Sequence, residues 1–425
     1  MAQFNKDTQS YRSQDTTNFE VVQLADHWGE QSDWRPQFTS KNRLKTSPYQ
    51  TAFFNTFQYG LETDVWETST SGTASAVHNP NASTTIMSVG SNVGDKCIRQ
   101  TKHVMRYIPG RTSQLSFGIR LETPVIGVRR RFGIFDAGNG AYFEDGGDGN
   151  YYCVICSTAS GSLVERRVAR EDWNGDKLDG TGPSQITANP AAQQLINIEY
   201  EWYGAGQVIF SYVIDGEQHI IHKFNNANLI NYVWCATPFL PIRLELENIG
   251  GAAGTHYLYQ GSNSLIQEGE PEKLGNLVSR SNDIAGTTMA SANTFYPVIS
   301  IRLKSTALQG VALQRSLQVA TNDNTNVFWR LIENPTLTGA IWTDPSDPNT
   351  LTQYDISASA YTGGRNLVSG FTIGGGSTLI QLDTQAALQI GRSSLGTVSD
   401  IYTLVCASPN TNKKALAVMN WLEQR

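Results

Sequence analysis

The stretch from Leu195 to Asn225, LINIEYEWYGAGQVIFSYVIDGEQHIIHKFN, limits the folds open to this chain more than any other. Ile196, Ile198, Tyr200 and Trp202 alternate with Asn197, Glu199 and Glu201. A period of two places one set on a buried face and the other toward water, so this is a strand with one covered side. Gly204-Ala205-Gly206 turns the chain. Val208, Phe210, Tyr212 and Ile214 then alternate with Ile209, Ser211 and Val213, a strand apolar on both faces. Asp215-Gly216 supplies a two-residue hairpin, whose central positions both require positive φ. Gln218 to Phe224 forms the third strand. Three consecutive antiparallel strands make a β-meander, a unit of sandwiches and barrels.

The rest of the chain carries the same signature. Charged residues make up 16% of the sequence and Gly reaches 38, a polar-uncharged, turn-rich balance that suits exposed loops between strands. Strand patterns recur in CIRQTKHVMRYIPGRTSQLSFGIRLET, VIGVRRRFGIF, AYFEDGGDGNYYCVICST and PIRLELE. A second series runs through FYPVISIRLKS, LQVATND, VFWRLIENP, GFTIGGGSTLIQL and DIYTLVCAS. We therefore expect an all-β protein with two jelly-roll or lectin-like β-sandwich domains. The expected parts are an extended N-terminal docking arm over 1–48, a sandwich over 49–268, a polar linker over 269–293 and a second sandwich over 294–425. Trp28 and Trp34 give the arm aromatic anchors. Ala415, Val418, Met419 and Leu422 share one helical stripe, with Asn410 or Asn412 as cap, so a short helix is expected over Lys413 to Arg425.

Several function classes are disfavoured. The net charge of −6 gives no global field for nucleic acid. The polar N-terminus has no apolar run of signal-peptide length, and no stretch is long and apolar enough to span a membrane. Five cysteines, an odd number, argue against a complete disulfide framework. Cys153 and Cys156 lie three apart on a strand, hence on opposite faces, and are read as reduced, buried thiols. No GxSxG, P-loop, HxH or HExxH is present, and His219 and His222 face opposite ways.

Between Arg106 and Asn248 the motifs RYIPGR, GVRRRFGIFDAGNGAYFE, RVAREDWNGDKLDGTGPS, IEYEWYGAGQVIFSYVIDG, HKFNNAN and TPFLPIRLELEN occur in order. The series resembles a family of virion structural proteins of tailed bacteriophages, many from marine and cyanobacterial phages. The resemblance spans about residues 100 to 265, and SIRLKS and FWRLIENPTLTG carry it more weakly into the second domain. It implies a lectin-like sandwich built into the head or tail of a virus particle, made in the host cytoplasm. It carries no catalytic residue across. The expectation is a non-enzymatic assembly protein, a capsid decoration or head/tail appendage. Its partners would be other virion proteins and copies of itself, as a trimer or hexamer. The alternatives are a host-glycan-binding module of a tail fibre or baseplate, and a glycan depolymerase.

Candidate sites follow from the loops. In the loop that holds Asp172, Trp173, Asn174, Asp176 and Asp179, side-chain oxygens stand at positions one, three and five (Asp172, Asn174 and Asp176), like the start of a calcium loop. Lys177 and Pro183 stand where such a loop needs Gly and Glu, so the EF-hand pattern fails. A looser calcium site or a sugar contact at Trp173 competes with a hydrogen-bonded turn around a packed Trp. No other metal or cofactor is expected. Glu144, Asp145, Asp148 and Asn150 form a second acidic loop, read as a hairpin tip. Glu199 and Glu201, with Glu245 and Glu247, would line one cleft if their strands paired, giving the two carboxylates of a glycosidase. The competing reading is a pair of polar faces, with Arg243 as partner. Arg129 and Arg131 share a face opposite Arg130, and subunit contacts are expected of them.

Overall fold

The computed structural model describes residues 49–269, 275–321, 324–345, 347–382 and 388–424, together with three short strands nearer the N-terminus. The chain divides into two units, Met1–Pro48 and Tyr49–Arg425. In the first, Gln3–Asn5, Ser10–Arg12 and Val22–Leu24 pair as a three-stranded antiparallel sheet. The expected docking through Trp28 and Trp34 lies outside the described residues.

The second unit is built from strands. Its regular helical content among the described residues is two 3-10 turns, Arg170–Asp172 and Ser305–Ala307. The meander forms as its alternation requires. Gln194–Tyr200, Val208–Ile214 and Glu217–Phe224 are hydrogen-bonded neighbours, with Asp215 and Gly216 at φ 53° and 83° in the tight turn. They continue through Ser113–Arg120 and His256–Glu268 to Thr84–Val89 and Ser75–Asn79, and Tyr49–Asn55 also pairs with His256–Glu268. A seven-stranded sheet faces this one. Its order is Val164–Ala169, Tyr151–Ser157, Gly140–Asp145, Val128–Phe135, Ile242–Asn248, Lys96–Thr101 and Trp66–Ser71. Leu115, Phe117, Ile196 and Phe210 from one sheet meet Phe132, Phe143, Leu244 and Leu246 from the other in a common core. Phe117 and Phe132 pack edge to face at 5.1 Å.

A second sheet pair follows. One sheet orders Asn276–Ser281, Lys413–Gln424, Val311–Thr321 and Ser377–Gln381; Thr287–Met289 also pairs with Lys413–Gln424. The other orders Thr352–Asp355, Tyr296–Leu303, Ile401–Ala407, Val327–Glu333 and Arg365–Thr372. Its core gathers Ile301, Leu317, Trp329, Leu404, Met419 and Trp421.

Two expectations are corrected. Lys413 to Gln424 is a strand, not a helix. Ala415, Ala417, Met419 and Trp421 alternate inward, while Leu416 and Val418 are half-buried on the other face. Because both faces carry apolar residues, the period of two is masked and a helical stripe can be drawn through the same letters. The strand pairs along its length with Val311–Thr321 on one side and Asn276–Ser281 on the other, and this tertiary pairing overrides the helix propensity of Ala, Leu and Met. The stretch 269–293 is also more than a linker. Asn276–Ser281 and Thr287–Met289 are strands of the second sheet pair. The first core runs on into Val311, Leu313 and Leu422, so apolar packing is continuous from one sheet pair to the other.

Candidate functional site

The carboxylates singled out in the sequence do not converge. Glu199 lies on the eight-strand side and Glu245 and Glu247 on the seven-stranded sheet, each turned away from the shared core. They therefore occupy opposite outer faces of one sandwich, with the core between them. Glu199 accepts from the Gln218 amide, and Glu201 accepts from Thr112 Oγ1 at 2.9 Å.

Register explains what Glu245 and Glu247 do instead. Antiparallel pairing sets Arg131 opposite both Glu144 and Glu245, and Arg129 opposite Glu247. Arg131 Nε donates to Glu144 Oε2 at 2.5 Å and Arg129 to Glu247 Oε2 at 2.6 Å. Arg243, two residues along the same strand, donates to Glu245 Oε1 at 2.7 Å and to Gln100 Oε1 at 2.9 Å. Lys96 sits 3.6 Å from Glu245 and 3.3 Å from Glu247. Burial alone would push the Glu245 carboxyl up, but Arg243, Lys96 and Arg131 outweigh it and hold it below the usual range. Burial is likewise outweighed at Glu247, by Arg129 and Lys96. Both groups are ionised near neutrality. Neither has the raised affinity for a proton that a glycosidic general acid requires. Arg130, on the opposite face, crosses the core to Tyr257 O at 2.9 Å and pairs with Asp145 Oδ2 at 2.6 Å. Each arginine of the run thus has an acidic partner within its own chain.

The loop Asp172, Trp173, Asn174, Asp176, Asp179 is a hydrogen-bonded turn around a buried ring. Trp173 packs against Phe143 at 6.2 Å, and its indole N–H donates to Val168 O at 3.2 Å. Asp172 ends a 3-10 turn. Asn174 clamps Lys223, donating to its carbonyl at 2.9 Å and accepting from its N–H at 2.8 Å. Asp176 accepts from Leu178 N and Ser184 N, both at 2.8 Å, and Asp179 accepts from Thr181 N at 2.9 Å. The side-chain oxygens of Asn174 and Asp176 and Oδ1 of Asp179 thus face backbone donors. No cluster of three or more His, Cys, Asp or Glu suited to a metal occurs among the described residues. The cavity beneath Trp173 measures about 10 Å³, space for about one water and none for a sugar ring. In the second acidic loop, Asp148 accepts from Tyr152 Oη at 2.7 Å and from Asn150 N at 3.0 Å.

The five cysteines are free and buried. Cys153 lies in the inter-sheet core and Cys156 in a separate cluster on the outer face with Phe135, Tyr142 and Val154, as strand alternation requires.

A large concavity lies elsewhere, where the two sheet pairs meet. It is a groove of about 950 Å³. Its first wall is aromatic: Tyr107, Trp202 and Phe239, with Pro109 and Pro238. The second wall is the 305–310 turn with Leu351, and Thr237, Asn276, Gln309 and Gln424 add hydroxyl and amide groups. Tyr107 and Trp202 meet edge to face at 6.3 Å. Tyr107 Oη accepts from Trp202 N at 3.1 Å, and the Trp202 indole N–H donates to Cys235 O at 2.8 Å. Arg106 Nε reaches across to Gln424 Oε1 at 2.8 Å, and Gln309 donates to Asp136 Oδ2 at 3.2 Å. Sequence periodicity passes over these residues because they sit in loops. The available signal was aromatics beside turn formers, in YIPG, EWYGAG and TPFLP.

No protein-family model matches this chain, and no curated protein matches it either. Solved structures are similar in part. An endo-1,3-beta-glucanase from Streptomyces sioyaensis aligns at TM-score 0.37 and 9% identity, over 52% of this chain and 97% of that one. A Bacteroides ovatus GH16 protein of a mixed-linkage glucan locus gives 0.34 and 11%, over 50% and 99%. A legume lectin-like domain from Entamoeba histolytica gives 0.28 and 11%, over 49% and 92%. At likeness this low no residue, substrate or activity passes from those proteins to this one.

Proposed function

We propose that this chain is a non-catalytic structural component of a phage virion, a capsid decoration or head/tail appendage that works by subunit assembly. The observation that carries the reading is an open sheet edge. Arg365–Thr372 pairs with Val327–Glu333 on one side and with no strand on the other among the described residues. Natural edge strands are usually blunted by Lys, Pro or bulges, because their free N–H and C=O groups template further pairing. From Asn366 to Thr372 this edge carries no charge and no Pro, and its one register shift, at Leu367, leaves Val368 to Thr372 in regular pairing. Phe371 is 71% exposed and stacks on Phe328 at 4.6 Å, and Ile373 is 78% exposed. Leu379, on the edge strand of the facing sheet, is 57% exposed. Exposed apolar side chains on unpaired edges of this kind suit burial against another subunit. The committed carboxylates of the Ile242–Asn248 strand support a role without glycan hydrolysis.

The test has two parts. Labelled protein on purified particles is imaged, where many copies over the head mark a decoration role and a few at one vertex or the tail an appendage role. Absence from particles sinks the proposal. The purified chain is then sized: a trimer or hexamer is expected, and Phe371→Asp with Ile373→Asp should release monomers with unchanged far-UV circular dichroism. Release of reducing ends from host polysaccharide by the purified chain would overturn the non-catalytic reading.

A further inference from the structure

We infer that the groove between the two sheet pairs is a binding site for a neutral oligosaccharide. The inference does not depend on where in a particle the chain resides.

Three properties of the groove lead there. Its volume, about 950 Å³, lies at the upper end of small-ligand sites. Among its described lining residues there is no Lys or Arg. Glu423 is the ionisable acid among the lining residues, and its carboxylate is already occupied. It accepts from Leu351 N and Thr352 Oγ1, both at 2.7 Å, and from Trp421 Nε1 at 3.1 Å. Among the described lining residues a phosphate, sulfate or uronate would find no Lys or Arg, Arg106 at the border donating to Gln424, and a cationic peptide would find one carboxylate that is already hydrogen-bonded. What the groove does offer is the half-buried Trp202 on one wall, backed by the buried Tyr107 and Phe239, with hydroxyls and carboxamides around it. A sugar ring presents apolar C–H faces and a rim of hydroxyls that both donate and accept. Aromatic rings meet the first, and Thr237, Thr306, Asn276 and Gln309 meet the second.

The third property is rigidity before binding. The indole N–H of Trp202 is used by Cys235 O and its backbone N–H by Tyr107 Oη, so the ring is held and offers its face rather than its donor. The Trp234 indole adds a hydrogen bond to Trp202 O at 3.3 Å. The walls are tied to each other by the Arg106–Gln424 and Gln309–Asp136 hydrogen bonds. A ligand that gains little per hydroxyl, because each one is already satisfied by water, depends on such preorganisation.

The experiment uses the full chain and an array of neutral malto-, cello- and chito-oligosaccharides, with sulfated and uronate-bearing glycans and a proline-rich peptide alongside. Calorimetry follows on the strongest neutral probe. Saturable binding to a neutral oligosaccharide is expected, with no binding to the acidic glycans. Trp202→Ala should weaken it by about tenfold or more. Trp202 also packs on Tyr107, so a second variant guards against misfolding. Thr306→Trp changes an exposed turn residue, fills the groove and should weaken binding to a similar extent at unchanged melting temperature. Binding to no neutral glycan, binding untouched by both variants, or preferential capture of the peptide would each overturn the inference.

Discussion

Replacing Trp421 by Ala tests the placement of the C-terminal strand. Trp421 is 0% exposed and lies in the core between the two sheets of the second pair. Emptying such a site costs about 3–5 kcal/mol in lost transfer energy and residual cavity. The lost hydrogen bond to Glu423 adds about 1 kcal/mol. That carboxylate keeps the Leu351 and Thr352 donors, so no orphaned charge enlarges the figure. The sum is about 4–6 kcal/mol. Val418 faces the other way and is half-buried, so Val418→Ala should cost about 1 kcal/mol or less. On a helix the order reverses, because Val418 joins the apolar stripe and Trp421 falls beside it. Urea unfolding followed by far-UV circular dichroism measures both at constant m-value. Equal losses, or a larger loss at Val418, would refute the strand and with it the second core as described.

Three further outcomes follow from the same geometry. Arg130 and Asp145 are both fully buried, so Asp145→Ala should cost about 3–5 kcal/mol, and the double variant Arg130→Met with Asp145→Leu should recover most of it in the same urea assay. Burial, with Arg166 nearby, pushes the His222 imidazole down to about 4 from 6.5, and its Nδ1 accepts from Asn174 N at 3.3 Å. The neutral ring is therefore the folded form. Its contribution is full above pH 6.5 and is lost as pH falls from 6.5 toward 4, so melting temperature should drop more steeply across that window in the wild type than in His222→Asn. Burial raises the Cys97 and Cys235 thiols to about 12 and the other three as well, so a thiol reagent should label none in the native protein and all five after unfolding.

What was legible in the sequence was what alternates. The meander could be read because Asn197, Glu199 and Glu201 mark its polar face and Asp215-Gly216 its turn. The opposite faces of Cys153 and Cys156, and of Arg130 against Arg129 and Arg131, followed from strand parity alone. The last strand was not legible, since Leu416 and Val418 are apolar where a half-exposed strand would carry polar residues. Partner choice was legible only in part. Arg243, named as partner from its place two residues along the strand, does hold Glu245, whereas Arg131 and Lys96 reach that carboxylate only through sheet order. The groove was hidden for a different reason. Tyr107, Trp202 and Phe239 belong to three separate loops, and no period connects them.

The continuous packing through Val311, Leu313 and Leu422 has a mechanical consequence. These residues sit on the two longest strands of the second sheet pair, yet their side chains join the first core. A load applied to one sheet pair is passed to the other through interlocked side chains and not through a tether. The two halves should resist pulling, shear and proteolysis together, and cutting the chain within 269–293 would strand apolar surface on both sides. Stiffness of this kind comes from side chains shared between two cores, so weakening it takes a substitution at Val311, Leu313 or Leu422 and not a longer connection.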